Sequence, residues 1–228
     1  MVITGDDLAQ AGPGRTGRLD SAEALAAQLA ALVGIDPRLE AVVGRAGPFA
    51  VRTADPGFVG LAQIICGQQL STASAGAIWS RFAVLEGALD PARYLGLPEE
   101  AVRATGFSRG KYQTLRGVAE AVAEGRLDFA TLADRPAEAA IAELCRLKGV
   151  GPWTAEIYLM VSAAHPDIFP AGDLALQVGV QWAFGLDARP AIKDLREMAG
   201  AWSPYRSAAA LLFWRYYRAV RNREGLLL

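Results

Sequence analysis

The sequence predicts an all-α chain folded as two helical lobes. Apolar residues recur at three- and four-residue spacing along most of its length, and no alternating run of convincing strand length occurs. Serine, aspartate and proline stand where the periodic segments begin, as capping and first-turn residues do. Between Gly44 and Gly57 lie three glycines and two prolines, which read as a connection between the lobes.

In chain order, Met1–Gly17 reads as a flexible arm. Ser21 caps a helix carrying Leu25, Leu29 and Leu32, and Asp36-Pro37 opens a short second one. Phe58 to Cys66 is an apolar helix interrupted at Gly67. Ser71 then caps a helix expected to bury Ala75, Ile78, Trp79 and Phe82. Pro98 starts a short helix, and Ser108 caps another that runs to about Glu124. Pro136 leads into a helix with Ile141, Leu144 and Cys145 on one side, and Pro152 begins the next, with Ile157, Tyr158 and Val161. Asp173 precedes a helix bearing Leu176, Val180 and Ala183, and Pro190 starts a further one. Ser203-Pro204 opens the last, whose stripe is Ala209, Phe213, Tyr216 and Val220. The two lobes are expected to be roughly residues 58–165 and a unit made from the N- and C-terminal helices.

Composition bounds the chemistry. The chain has 228 residues, 52% hydrophobic, with a net charge of −1, so it buries a real core and is no polycation. Charge is uneven: Arg103 to Arg116 holds four basic residues and no acidic one, and Arg206 to Arg223 holds five and none. Such runs are solvated helix faces or a local anion-binding face. Two cysteines, Cys66 and Cys145, cannot supply a four-cysteine metal site, and a single histidine, His165, excludes histidine clusters and makes Ser-His-Asp chemistry improbable. The N-terminus lacks a basic-then-apolar signal pattern and no apolar run reaches membrane-spanning length. A reducing, cytoplasmic setting is expected.

Four stretches carry candidate chemistry. Leu147-Lys148-Gly149-Val150-Gly151-Pro152-Trp153 reads as helix, glycine hairpin, helix. Its amides at Val150, Gly151 and Trp153 crowd a helix's positive end, where a phosphate docks; the plain alternative is an ordinary helical hairpin. Gln68 and Gln69 are either linker residues or amides that probe or fill a base stack. Trp214 shares a face with Arg218 and Arg221, as a boundary tryptophan or a stacking platform. Asp173 is a helix cap, a carboxylate placed to stabilise a positive sugar, or both.

These motifs, IICGQQLSTASAGAIWSRF, GFSRGKYQTLRGVA, LKGVGPWTAEI, FPAGDLALQ and SPYRSAAALLFWR, stand in one order over most of residues 20 to 220. In that order they resemble the helix-hairpin-helix DNA glycosylase superfamily, and within it the AlkA-type enzymes that remove alkylated purines. The resemblance implies a two-lobed fold, here without the N-terminal β-rich domain of larger relatives. It implies Asp173 as the catalytic carboxylate, Trp153, Trp214 and Tyr158 as base-pocket aromatics, and Gln69 as the wedge that fills the duplex gap. Gly149, Val150, Gly151, Arg109 and Lys111 would bind phosphates. No cofactor is required; a structural Na+ or K+ on the carbonyls of Cys145, Leu147 and Val150 is expected from some relatives. The implied partner is double-stranded DNA containing alkylated bases such as 3-methyladenine or 7-methylguanine, met by a monomer, at the nucleoid if the source is bacterial. Deaminated or etheno bases are the alternative substrates, and a non-catalytic DNA-binding module is the alternative of another class. Lyase-competent cousins carry a lysine where this chain has Trp153, so hydrolysis alone is expected.

Overall fold

A computed structural model of the chain describes residues 17–224. The expected N-terminal arm lies outside these residues except for Gly17. The described residues are helical and contain no β-strand. They divide into two compact units, one built from the chain up to Thr53 together with the segment from Ala164 onward, the other from Ala54–Ala163.

The first unit contains α1 (Ala22–Ile35) and α2 (Leu39–Ala46) from the N-terminal side. From the C-terminal side come α10 (Leu174–Phe184), α11 (Ile192–Gly200) and α12 (Arg206–Glu224). Ser21 caps α1 by accepting the Ala24 amide at 3.1 Å, and Leu25, Leu29 and Leu32 are buried. The long α12 packs on α1, α2 and α10, and its Ala209, Phe213 and Tyr216 are buried as the stripe predicts. Gly179 of α10 permits a close crossing: a Cβ there would come within 3.0 Å of the Phe213 carbonyl. Trp202, fully buried, donates its indole N–H to Asp36 at 3.0 Å, and Arg38 forks onto the same carboxylate.

The second unit holds α3 (Gly57–Gly67), α4 (Thr72–Ala83), α5 (Pro91–Tyr94), α6 (Glu99–Ala104), α7 (Arg109–Ala123), α8 (Ala137–Cys145) and α9 (Pro152–Val161). A 3-10 turn, Phe129–Asp134, lies between α7 and α8. Leu61, Ile65, Phe82, Tyr94, Leu115, Leu144 and Tyr158 fill its core. Ser71 and Ser108 cap α4 and α7. Of the four apolar residues expected inside from α4, only Phe82 is buried, against Tyr94 and Phe107; Ala75, Ile78 and Trp79 are partly covered. The Gly44–Gly57 connection is shorter than its composition implies, since Gly44 stays within α2 and Gly57 opens α3.

One polar cluster fixes the loop between the units' sequence boundary and α10. Arg206 bonds Asp167 through Nε at 2.7 Å and Nη2 at 2.9 Å, and the Ser203 hydroxyl adds a bond of 2.8 Å. The buried Ser207 hydroxyl donates to the His165 carbonyl and accepts the Ile168 amide. Burial pushes the Asp167 carboxyl up, but the Arg206 and Ser203 bonds outweigh it and hold the group below the ordinary carboxylate range. Its contribution to stability is therefore present above about pH 4 and lost as pH falls through the lowered folded value. Asp167→Asn should lower unfolding stability at neutral pH by on the order of 3 kcal/mol, the cost of removing the carboxylate from a largely buried ion pair. The variant's midpoint in chemical denaturation should also fall less steeply than the wild type's between pH 5 and pH 2. Equal acid slopes would remove Asp167 from the account of acid stability.

Candidate functional site

The first unit presents one carboxylate with unusual support. Asp173 ends the Phe169–Gly172 loop in extended backbone and caps α10, accepting the Leu176 amide on Oδ1 at 3.1 Å. Trp214 of α12 donates its indole N–H to the same Oδ1 at 3.0 Å. Two donors on one oxygen fix the plane of the carboxylate, and Oδ2 has no protein donor among the described residues. The Gln177 side chain, buried one turn on, donates to the Ala171 carbonyl at 2.9 Å and holds the loop behind. The close α10–α12 crossing at Gly179 is what brings the indole within reach. Asp173 is the cap that one of its sequence readings makes it, and its second oxygen has no protein donor among the described residues.

The second unit presents the hairpin. α8 ends at Cys145, Gly149 turns at φ +87°, and Pro152 is the first residue of α9. Gly149 is required twice over: its φ lies in the left-handed region, and a Cβ would sit 2.0 Å from Oγ1 of Thr114 on α7. Gly151 is different, since nothing lies within 4 Å of where its Cβ would be. Its bareness opens the start of α9 to approach from outside, with the unpaired first-turn amides behind it. The Val150 amide is excluded from that set, because it donates to the Leu147 carbonyl at 3.0 Å and the residue is buried.

The α3–α4 junction lies in the same unit. Gln69 adopts φ +56°, a left-handed conformation that costs a side-chain-bearing residue about 1 kcal/mol or more. It is exposed, as is Leu70, whereas the Gln68 amide turns back to donate to Thr154 Oγ1 of α9 at 3.0 Å. Trp153 is 41% exposed at the start of α9. Large apolar side chains are thus left at the surface beside three candidates: Leu70 next to Gln69, Leu174 next to Asp173, and Trp153 in the hairpin. Sequence reading missed Leu70 and Leu174, which count as ordinary stripe residues until their exposure is seen.

A family model described as HhH-GPD superfamily base excision DNA repair protein matches residues 62–204, a span that holds the Gln69 turn, the hairpin and Asp173. The chain belongs to this superfamily. DNA-3-methyladenine glycosylase 1 of Schizosaccharomyces pombe is 30% identical over 82% of this chain and 86% of its own length. Among solved structures, a DNA-3-methyladenine glycosidase of Bacillus halodurans superposes with a TM-score of 0.78 at 33% identity, covering 92% of this chain and 95% of the other. A 3-methyladenine DNA glycosylase of S. pombe, solved with abasic DNA, gives 0.69 at 28% identity over 81% and 93%.

Against that membership, two candidates carried over from the superfamily's pattern need correction. Tyr158 is 1% exposed, stacks against Phe129 and accepts the Gly57 amide on its hydroxyl at 3.0 Å. Burial pushes its phenol far up. It is a core post that starts α3, with no face for a base. Lys111 is not placed for phosphate either. Its ammonium donates to the carbonyls of Cys66 at 2.8 Å and Gln68 at 2.7 Å, and desolvation draws its pKa down. Arg109 is exposed, with only a 3.9 Å approach to Glu99. The two cysteines are free, Cys66 buried and Cys145 half-buried, and no group of three or more potential metal-ligating side chains occurs among the described residues. No helix among them is long and apolar enough to cross a membrane.

The two hairpin glycines make opposite demands, and alanine separates them. Gly149→Ala should lower the thermal midpoint by several degrees, the combined cost of positive φ and the clash with Thr114. Gly151→Ala should leave the midpoint within about one degree while weakening duplex binding in fluorescence anisotropy, because its methyl group enters only the outer space. Equal melting losses for both would refute this division.

Proposed function

We propose that this chain is a monofunctional DNA glycosylase of base excision repair. It extrudes an alkylated purine from duplex DNA and hydrolyses its N-glycosidic bond, leaving an abasic site. The observation that carries the reading is the Asp173 carboxylate, clamped through Oδ1 while Oδ2 takes no protein donor among the described residues, in a chain of this superfamily. The names of its relatives supply the substrate class.

The chemistry follows from the residues present. A base within a duplex is unreachable, and extrusion costs roughly a few kcal/mol. Gln69 is the wedge that fills the vacated space, and the first amides of α9 with Gly151 hold a phosphate nearby. A base alkylated at a ring nitrogen carries positive charge and departs without a general acid, so the single, buried His165 is no obstacle. As the bond lengthens, positive charge grows on the sugar. Oδ2 of Asp173 stabilises that charge and orients the water that attacks C1′, a preorganised electrostatic role. The Trp214 indole keeps the carboxylate in that orientation and its ring face suits a cationic base; cation–π attraction contributes about 0.5–2 kcal/mol. Trp153, the other aromatic that the resemblance singles out, has an exposed indole at the start of α9 in its own unit. A Na+ or K+ ion, hard cations that take oxygen donors, would be held by the carbonyls of Cys145, Leu147 and Val150, bracing the turn and taking no part in the reaction. Action on DNA places the protein at the nucleoid or in the cytoplasm.

Asp173→Asn keeps the shape and the cap but removes the charge. It should cut single-turnover release of methylated purines, measured by mass spectrometry of freed bases, by at least about a thousandfold. Binding to abasic duplex should stay within a few fold. Near-normal excision by the folded variant would end the mechanism.

The product should be an intact strand bearing an abasic site. Lyase chemistry needs an amine that forms a Schiff base with the opened sugar. Trp153 has none, and Lys148 lies exposed in the hairpin turn. Borohydride added during turnover should therefore trap no covalent protein–DNA band. A band at a yield matching base release, lost in Lys148→Ala, would overturn the monofunctional assignment.

A further inference from the structure

The GFSRGKYQTL segment contributes more to the Gln69 turn than its position in the chain implies. Ser108 caps α7 by accepting the Lys111 amide at 3.3 Å, which places Lys111 in the first turn. From there the ammonium reaches across to α3 and donates to the carbonyls of Cys66 and Gln68 at 2.8 and 2.7 Å. These are carbonyls at a helix C-terminus, left without intrahelical donors, where a cation is favoured. The residue that follows the second carbonyl is Gln69, held at φ +56°. One turn along the same face of α7, Thr114 packs under Gly149 of the hairpin. Gln68 closes the triangle by donating to Thr154 Oγ1 of α9, at 3.0 Å, with its amide also 3.5 Å from the Gly149 carbonyl.

We infer that Lys111 is the positioning residue of the wedge: by gripping the carbonyls of Cys66 and Gln68 it holds Gln69 in its left-handed conformation, at a fixed distance from the phosphate-binding hairpin. An exposed residue with positive φ needs such a restraint, since nothing covers it and extended backbone is lower in energy. The ammonium supplies it. Because Lys111 and Thr114 stand on one rigid helix, the wedge and the hairpin share one support. The inference rests on the glycosylase reading, in that Gln69 enters a gap in duplex DNA.

The test compares affinity for a duplex carrying a tetrahydrofuran abasic site with affinity for the intact duplex, by anisotropy, and needs no turnover. Lys111→Met keeps the side chain's unbranched apolar stem and removes its donors. It should reduce the preference for the abasic duplex by roughly tenfold, a coupling of the size found between touching groups. Gln69→Ala should do the same, and the double variant should be no worse than Gln69→Ala alone. Intact-duplex affinity and its salt slope should not change. If Lys111→Met does not fold, Lys111→Gln carries the test, since its amide is one bond shorter and cannot span both carbonyls. The inference is overturned if the preference survives, if Lys111→Met adds its full loss to Gln69→Ala, or if the wild type shows no preference. It is also overturned if the salt slope drops by about 0.9, which marks a lost phosphate contact. Base release by the wild type, measured separately, tests the glycosylase reading, so each can fail without the other.

Discussion

The chemistry proposed for this chain depends on one carboxylate oxygen being occupied. Oδ1 of Asp173 takes the Leu176 amide and the Trp214 indole together, and this double restraint leaves Oδ2 pointing in one direction. A carboxylate on a free rotor would pair with the nearest amide at the positive end of α10 and face inward. Here the cap requirement has been met by one oxygen, with a second helix enforcing which one. The rest of the first unit serves that arrangement. Gly179 lets α10 settle against α12 closely enough for the indole to reach, and Ser207, Arg206 and Ser203 fasten the His165–Asp167 stretch upstream to the start of α12. Loop, cap and indole are thus all referred to a single long helix.

The second unit solves a different problem with a similar economy of supports. A hairpin that offers amides must be bare, and a residue that enters a base stack must project. Both features are unstable by themselves: one needs a glycine at positive φ and the other strains a glutamine. α7 underlies both, Thr114 meeting Gly149 and Lys111 meeting the end of α3. The basic run Arg103 to Arg116 therefore divides by function. Arg109 stays on the surface, while Lys111 and Arg116 are drawn into bonds with the protein, Arg116 to Glu120 and toward Tyr112. Counting charges along the sequence could not make that division.

Helix boundaries were legible because they are written locally. Ser21, Ser71, Ser108 and Asp173 each cap a helix through a side-chain oxygen, and Gly149 carries the positive φ that its place in the turn demands. Asp173 and Gln69 could be singled out because a polar residue at a helix junction is visible in one dimension. What stayed hidden depends on contacts between distant segments. Tyr158 reads as an available aromatic until Gly57, 101 residues earlier, is found bonded to its hydroxyl. Lys111 reads as a phosphate ligand until carbonyls 43 and 45 residues earlier claim it. Val150 reads as an open amide until its hydrogen bond to Leu147 is seen. In each case the residue type was right for the proposed chemistry, and only its neighbours decided against it.

A net charge of −1 is an odd balance for a protein that must hold a polyanion, and the geometry explains how it suffices. In the proposed reading phosphate is met by backbone amides at the start of α9, whose partial charge comes from the peptide dipoles and leaves the formal charge count unchanged. Such donors are fixed in place, so little conformational entropy is lost when they engage, unlike long arginines that must be ordered on contact. The same reasoning applies to the chemical step. In the proposed reading the barrier lies in charge that moves to the sugar, and a single oriented carboxylate answers it; the neutral base leaves without being protonated, and the one proton lost by the attacking water passes to Asp173 or to solvent. No general acid is then required, so a chain with one buried histidine and two free cysteines suffices for that chemistry. The demand falls instead on orientation, and orientation is what the indole, the cap and the glycine crossing supply.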